Sequence, residues 1–232
     1  MKIGLLGDIH GNAAALEAVL AAATSEAVET LLITGDLVGY YFEPAEVLKQ
    51  LRGWNKYIVR GNHEDMLTAA LADDACLPQI EKSYGSGLRV ALETLDRGQL
   101  LELSRLPHPL SLEFDGMRIL LAHGAPFDND CYVYPDAEPA LLQRCATADH
   151  DMVVMGHTHY PLDSTVGATR LINPGSVGQP RNRHPGAQWA LLDTKTRLVS
   201  FRNEAYNHLP LLHEARQRHP ELPYLAEVLT RT

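Results

Sequence analysis

Long apolar runs are missing from this chain, and nothing in it approaches the ~18 consecutive apolar residues of a membrane span. Apolar residues nevertheless make up 45% of its 232 positions, so the composition supports a sizeable core. The run after Lys2 is broken at Asp8, too early for the apolar stretch of a secretory leader. Cysteine is scarce: Cys76, Cys131 and Cys145 are odd in number and form neither a C-x-x-C pair nor zinc-finger spacing. That excludes a disulfide framework and points to neutral thiols in a reducing compartment. Positive charge is also short, with 20 Lys and Arg against 29 Asp and Glu. Such a balance argues against a surface that attracts nucleic acid or anionic lipid. The expectation is a cytoplasmic protein with no membrane and no stable nucleic-acid partner, in which an anionic substrate needs a local positive centre.

What is present has a strand–loop–helix rhythm. Lys2 to Leu6 reads as a short apolar strand, followed by GDIHGN and an alanine-rich run whose Leu16, Val19 and Leu20 fall at helical spacing. Asn12 is placed as the N-cap of that helix. Leu31 to Thr34 is a second strand ending in GD, and a helix follows from Glu43 with Pro44 near its first position. Tyr57 to Arg60 is a third strand, ending in GNHE. Asp8, Asp36 and Asn62 are thus spaced by slightly less than the ~30 residues of a βαβ unit, which predicts a parallel α/β first third. Beyond it come a helical GLRVALETL, a hairpin turning at Asp115-Gly116, a helical PALLQRCATA, and a buried strand from Met152 that ends in GHTH. Leu162 to Phe201 alternates short strands with turns, including NPGSVGQPR, and a helical tail from Asn207 is punctuated by Pro220 and Pro223. No low-complexity linker interrupts this, so residues 1–232 are expected to form a single domain.

Polar clusters recur where the strands run out: Asp8 with His10, Asp36, Asn62 with His63, His123, and His157 with His159. Residues two apart point the same way at a strand end, so Asp8 and His10 aim at one point. A single acid or histidine there is an ordinary cap or turn residue. Five clusters are not, because independent caps give no reason for oxygen and imidazole donors to recur. The other six histidines, His108, His150, His184, His208, His213 and His219, have no such setting and are expected to be solvated. A mixture of carboxylate, amide oxygen and neutral imidazole suits Mn, Fe, Co, Ni or Zn, whereas all-oxygen sets suit Mg and Ca. Asp8, His10, Asp36, Asn62, His123, His157 and His159 are too many donors for one tetrahedral ion but suit two ions sharing a carboxylate. Two ions about 3.5–4 Å apart clamp a phosphate and acidify a bridging water to hydroxide for attack on phosphorus. They also supply the positive centre this acidic chain otherwise lacks.

GDIH, GD, GNHE, AHG and GHTH in this order resemble the calcineurin-like metallophosphoesterase superfamily, and GDLVGY with NPGSVGQPR resembles its small stand-alone bacterial and archaeal branch. The resemblance implies a four-layer α/β/β/α sandwich, two mixed β-sheets flanked by helices, with a dimetal site at the sheet ends. It assigns Asp8, His10 and His159 to the first ion, Asn62, His123 and His157 to the second, and Asp36 to a bridge between them. His63 becomes the catalytic residue that protonates the leaving oxygen or steadies its charge. Manganese is the expected metal, with iron, zinc, cobalt and nickel as alternatives. Arg181 and Asn12 are candidate substrate-binding residues, while Tyr40, Tyr41 and Tyr132 are expected to pack in the core. No Asp-Arg-Gly follows the second motif's GD, which turns the reading away from protein serine/threonine phosphatases and diadenosine tetraphosphatases; where many stand-alone relatives have Gly after the GDLVGY tyrosine, Tyr41 and Phe42 stand here. The function implied is a dimetal-dependent phosphohydrolase, phosphodiesterase or phosphatase, acting on a small phosphate ester, with a homodimer as the default state. The alternatives are a non-catalytic metal-binding scaffold of the same fold, disfavoured by the presence of both His10 and His63, and a nuclease, which would need a DNA-capping region and a basic stripe.

Overall fold

Strands form here from apolar runs whose two faces are both covered, and helices from the alanine- and leucine-rich segments that cover them. The computed structural model describes residues 1–232. The first third runs β1 (Lys2–Leu6), α1 (Ala13–Ser25), β2 (Thr30–Ile33), α2 (Pro44–Leu51), β3 (Lys56–Ile58) and α3 (Asn62–Ala72). Three short helices follow, α4 (Leu77–Tyr84), α5 (Gly87–Thr94) and α6 (Arg97–Ser104), and then the hairpin β4 (Leu110–Phe114) and β5 (Met117–Leu121). The rest is α7 (Pro139–Cys145), β6 (Met152–Val154), β7 (Leu162–Val166), β8 (Thr169–Asn173), β9 (Ala187–Asp193), β10 (Leu198–Glu204), α8 (Leu209–Arg218) and α9 (Tyr224–Glu227).

Two five-stranded sheets result, in the orders β10-β9-β1-β2-β3 and β4-β5-β6-β8-β7. In the first, β1, β2 and β3 are parallel, as the βαβ spacing requires, while β9 and β10 add antiparallel. The second sets parallel β5, β6 and β8 between antiparallel edges β4 and β7. Both sheets are therefore mixed. Asp115 and Gly116 turn the β4–β5 hairpin at φ of 50° and 73°, the positive values a tight two-residue hairpin demands.

Side-chain alternation builds the layers. Ile3 and Leu5 of β1, Ile119 and Leu121 of β5, and Met152 and Val154 of β6 meet between the sheets as one buried cluster. On the other face of the first sheet, Leu6, Leu31 and Ile33 pack beneath Leu16, Val19, Val47 and Leu67 of the helices. Leu120, Val153 and Leu171 turn the opposite way, toward Leu141 and Cys145 of α7. The outcome is the four-layer sandwich expected from the motifs.

Boundaries shift where a strand peels off its neighbour. The strand read as Tyr57 to Arg60 ends at Ile58, because the Arg60 amide leaves the sheet to bond Pro107 O at 2.8 Å. Two histidines expected to be solvated are not. His219 is 8% exposed, its Nε2 accepting from the Ser86 amide at 2.9 Å, because the C-terminal tail folds back onto the α4–α5 turn. His108 is half-buried, and burial together with nearby His123 pushes it down to about 4. The three cysteines are free. No helix is long and apolar enough to cross a membrane.

Candidate functional site

β1, β2, β5 and β6 deliver their polar ends to one edge of the sandwich, and the backbone there is unusual. Asp8, His10, Asp36, His157 and His159 all adopt left-handed φ, between 53° and 68°. For a residue with a Cβ that conformation costs ~1–2 kcal/mol. Hydrogen bonds between loops hold it: Asp8 N to Gly35 O at 3.1 Å, and both Ile9 N and His10 N to Asp36 O at 2.9 Å. Gly35, at φ 98°, lets the loops after β2 and β3 touch, since a Cβ there would lie 2.6 Å from Gly61 N and 2.9 Å from Gly61 Cα.

Glu64, which the sequence reading passed over, is the fastener of these loops. Fully buried, its carboxylate accepts from the amides of Asp36 and Leu37 at 2.8 Å and of Gly61 at 2.9 Å. The signal was in GNHE, where Glu64 stands three residues past the cap of α3, the spacing of a capping box.

Around this frame the predicted ligands converge. His10 Nε2 and His159 Nε2 lie 3.1 Å apart, with His159 Nε2 3.4 Å from Asp8 Oδ1 and His10 Nε2 3.6 Å from Asp36 Oδ2. On the far side of Asp36, His123 Nε2 is 3.4 Å from Oδ2, 3.0 Å from Asn62 Oδ1 and 3.1 Å from His157 Nδ1. Two groups of mutually close donors, Asp8–His10–His159 and Asp36–His123–His157, thus meet at one carboxylate, and His63 forms a third with His10 and Asp36. All seven predicted ligands are buried.

The second nitrogens fix the tautomers. His10 Nδ1 donates to Val38 O at 3.1 Å and His159 Nδ1 to Gln179 O at 2.7 Å. A carbonyl only accepts, so the proton sits on Nδ1 and each Nε2 presents a lone pair. Two lone pairs therefore face each other at 3.1 Å, an arrangement that calls for a cation between them. Burial drives His10 and His159 well below the usual imidazole range. His123 Nδ1 meets Thr34 O at 2.7 Å, and against the effect of burial the neighbouring Asp36 carboxylate draws the His123 pKa up to about 9. Burial opposes ionisation of Asp36, yet His123, His63 and His10 hold it well below the carboxylate range. Asp8 is pushed up to about 7 by burial.

A narrow cleft opens over the cluster, walled by Tyr40, His63, Tyr84, Tyr132 and Arg181. His63 Nδ1 packs against Gly39 with no hydrogen-bond partner, and the ring lines the cleft. Arg181 lines the cleft. Asn12 does not: its Oδ1 accepts from Ala15 N, and its Nδ2 donates to Gly178 O and the Tyr206 hydroxyl, so the whole amide is used to cap α1 and tie down two loops. Tyr40 and Tyr41 are buried as expected, but Tyr132 is 45% exposed, its ring centroid 4.0 Å from that of His157. The loop from Ala125 to Tyr134 turns Ala125 and Val133 into the core beside the second sheet and leaves the Tyr132 ring outside.

This geometry has relatives. The profile of the calcineurin-like phosphoesterase superfamily domain matches residues 1–197. The chain belongs to that superfamily. Among family members, phosphodiesterase YfcE of Escherichia coli is 27% identical over 214 residues, covering 88% of this chain and 94% of that one. The crystal structure of a metallophosphoesterase from Sphaerobacter thermophilus superposes with a TM-score of 0.80 at 26% identity, over 100% of this chain and 98% of the other. A hypothetical protein from Pyrococcus horikoshii shares the fold with a TM-score of 0.84 at 24% identity, over 99% and 98% of the two chains. Family membership makes the chain a phosphoesterase-type hydrolase whose His and Asp clusters suit divalent metal.

Proposed function

We propose that this protein is a dimetal-dependent phosphohydrolase that cleaves a small phosphate ester, with Asp8, His10 and His159 holding one divalent transition-metal ion, Asn62, His123 and His157 the other, and Asp36 shared. The observation that carries the reading is the pair of His10 and His159 Nε2 atoms, 3.1 Å apart with both Nδ1 protons given to carbonyls. The mixed nitrogen and oxygen donor set fits manganese, iron, zinc, cobalt or nickel better than magnesium or calcium. Two such ions supply Lewis acidity toward a phosphate ester and the positive charge missing from the sequence.

The chain's own groups do the remaining work. Asp36, with its Oδ1 accepting from the His63 amide at 3.0 Å, fixes the start of α3 and so aims the His63 ring. As an oxygen derived from water bonds to phosphorus and the bond to the leaving oxygen breaks, the His63 ring, kept neutral by burial, donates a hydrogen bond that steadies the leaving oxygen's charge while that oxygen takes up the proton given up by the water. Arg181 keeps Nη1 without a protein partner, while its Nη2 is tied to the Tyr40 hydroxyl and Gln179 Oε1, both at 3.0 Å. A phosphate oxygen completes that guanidinium. Burial of the floor excludes bulk water and strengthens each of these interactions.

The test is hydrolysis of p-nitrophenyl phosphate and bis(p-nitrophenyl) phosphate by Mn-loaded protein, with and without EDTA, beside a metal count by elemental analysis. Two ions per chain and chelator-sensitive turnover are expected. Protein that binds both ions and hydrolyses neither ester refutes the enzymatic reading in favour of a metal-binding scaffold.

A further inference from the structure

The C-terminal tail lies beyond the residues the family profile matches, yet it grips three parts of the cleft wall. Leu211, Leu212 and Ala215 of α8, with Leu225, Ala226 and Leu229 of the last turns, form a buried cluster with Tyr40, Tyr41 and Phe42. The Tyr41 hydroxyl donates to Leu225 O at 3.0 Å and accepts from Gln179 Nε2 at 3.3 Å. His219 holds Ser86, two residues beyond Tyr84, and Arg231 donates to Arg181 O at 3.2 Å. The tail therefore fixes Tyr40, Tyr84 and Arg181 together.

Those three residues determine what fits. Tyr40 sits at a left-handed φ of 54°, a conformation that persists only when its surroundings enforce it. Its ring lies edge-on to His10 and Tyr84, at 4.6 and 5.6 Å, and its hydroxyl anchors Arg181. Arg181 is the one Lys or Arg in the wall. A monoester phosphate near neutral pH carries two charges and three terminal oxygens. A diester carries one charge and two terminal oxygens, with a second organic arm in place of the third. A fixed guanidinium with an unused Nη1 favours the third oxygen of the dianion through a charge-assisted bond that a diester, with two terminal oxygens and one charge, makes less well.

We infer that the α8–α9 tail is a specificity element: by clamping the Tyr40–Arg181 pair it makes the site favour dianionic phosphomonoesters over diesters. The inference rests on the phosphohydrolase reading above and names its substrate class. Tyr41 and Leu225 act through Tyr40 and Arg181 and are positioning residues.

The experiment compares wild type, Tyr41→Phe and Leu225→Ala. Tyr41→Phe removes the hydroxyl bonds and keeps the packing, whereas Leu225→Ala loosens the packing itself. Two readouts are taken on protein with two ions per chain. One is the kcat/KM ratio of p-nitrophenyl phosphate to bis(p-nitrophenyl) phosphate. The other, independent of turnover, is calorimetric binding of inorganic phosphate against dimethyl phosphate. Wild type should favour the monoester and bind phosphate more tightly, each by about tenfold or more, the worth of one charge-assisted hydrogen bond. Both variants should lower the two ratios together, through a higher KM for the monoester with kcat and metal content held. A wild type that prefers the diester overturns the inference, as do ratios that stay put in folded variants. Should Leu225→Ala fail to fold, Tyr41→Phe decides alone. If no ester is hydrolysed and no phosphate binds with both ions in place, the phosphohydrolase reading itself falls and takes the inference with it; diester turnover with unmoved ratios sinks only the inference.

Discussion

Glu64→Ala is the perturbation that separates the frame of this site from its contents. Glu64 touches no predicted ligand side chain, but its carboxylate accepts from the amides of Asp36, Leu37 and Gly61 at 2.8–2.9 Å. Truncation leaves these three buried N–H groups without an acceptor and also removes the longer 3.4 Å bond from the Val38 amide. Each such orphan costs ~1–3 kcal/mol, and water entering the vacated space moves the total to the lower part of that range, about 3–5 kcal/mol. For a chain of this length each kcal/mol lowers the melting point by ~2–4 °C, so the variant should melt ~6–20 °C below wild type. Asp36 loses its fixed backbone at the same time, and metal affinity should fall by the ~10–100-fold typical when a ligand's support is removed. Glu64→Gln keeps one acceptor oxygen and should fall between. The assays are thermal denaturation followed by circular dichroism and a Mn²⁺ titration by calorimetry. A Glu64→Ala protein that melts within about 3 °C of wild type and binds the metal as tightly would falsify the reasoning, since three orphaned donors at the low end already cost ~3 kcal/mol.

Three further outcomes follow from the same geometry. Metal should stabilise the fold by mass action, about 2.7 kcal/mol at a hundredfold excess over Kd, so EDTA treatment should lower the melting point measurably and added Mn²⁺ restore it. His63→Ala should retain two ions per chain by elemental analysis while turnover falls ~10²–10⁴-fold, whereas Asp36→Asn should lose metal as well; empty sites in His63→Ala would show His63 to be a ligand. Asn12→Ala should cost ~0.5–2 kcal/mol in chemical denaturation with KM unchanged, because its amide caps α1; a raised KM at full stability would restore it as a substrate contact.

The fold was legible wherever period and punctuation agree. The βαβ rhythm read from Asp8, Asp36 and Asn62 is the parallel order β1-β2-β3, and Asp115-Gly116 is the β4–β5 turn. The cluster at the strand ends was legible because Asp8, His10, Asp36, Asn62, His123, His157 and His159 each follow an apolar strand, and parallel strands bring like ends together. Roles that depend on contacts across the chain were not. Asn12 sits beside the first motif, but only the approach of Gly178 and Tyr206 shows its amide to be spent. His219 looks like a surface residue until the tail folds over Ser86. Tyr132 carries a core-type side chain, but its loop turns Ala125 and Val133 inward instead.

Two costs coincide at this edge of the sandwich, and one cause accounts for both. Five of the predicted ligands occupy left-handed backbone that the cross-loop bonds of Gly35, Asp36 and Glu64 maintain, and such strain persists where surrounding structure over-determines it. The same loops press His10 and His159 together through atoms that can only accept. Neither arrangement helps the fold by itself: relaxing Asp8 or His10 to right-handed backbone would relieve strain, and parting the imidazoles would relieve repulsion. A cation at their focus reverses the sign of the second cost, because each lone pair then faces positive charge. It also gives the first its use, since the left-handed turns are what swing two side chains from one strand end onto a single point. Replacing His159 by Gln should therefore raise the melting point of metal-free protein while lowering that of metal-loaded protein, and a fall in both would mean that the imidazole pair supports the fold without metal.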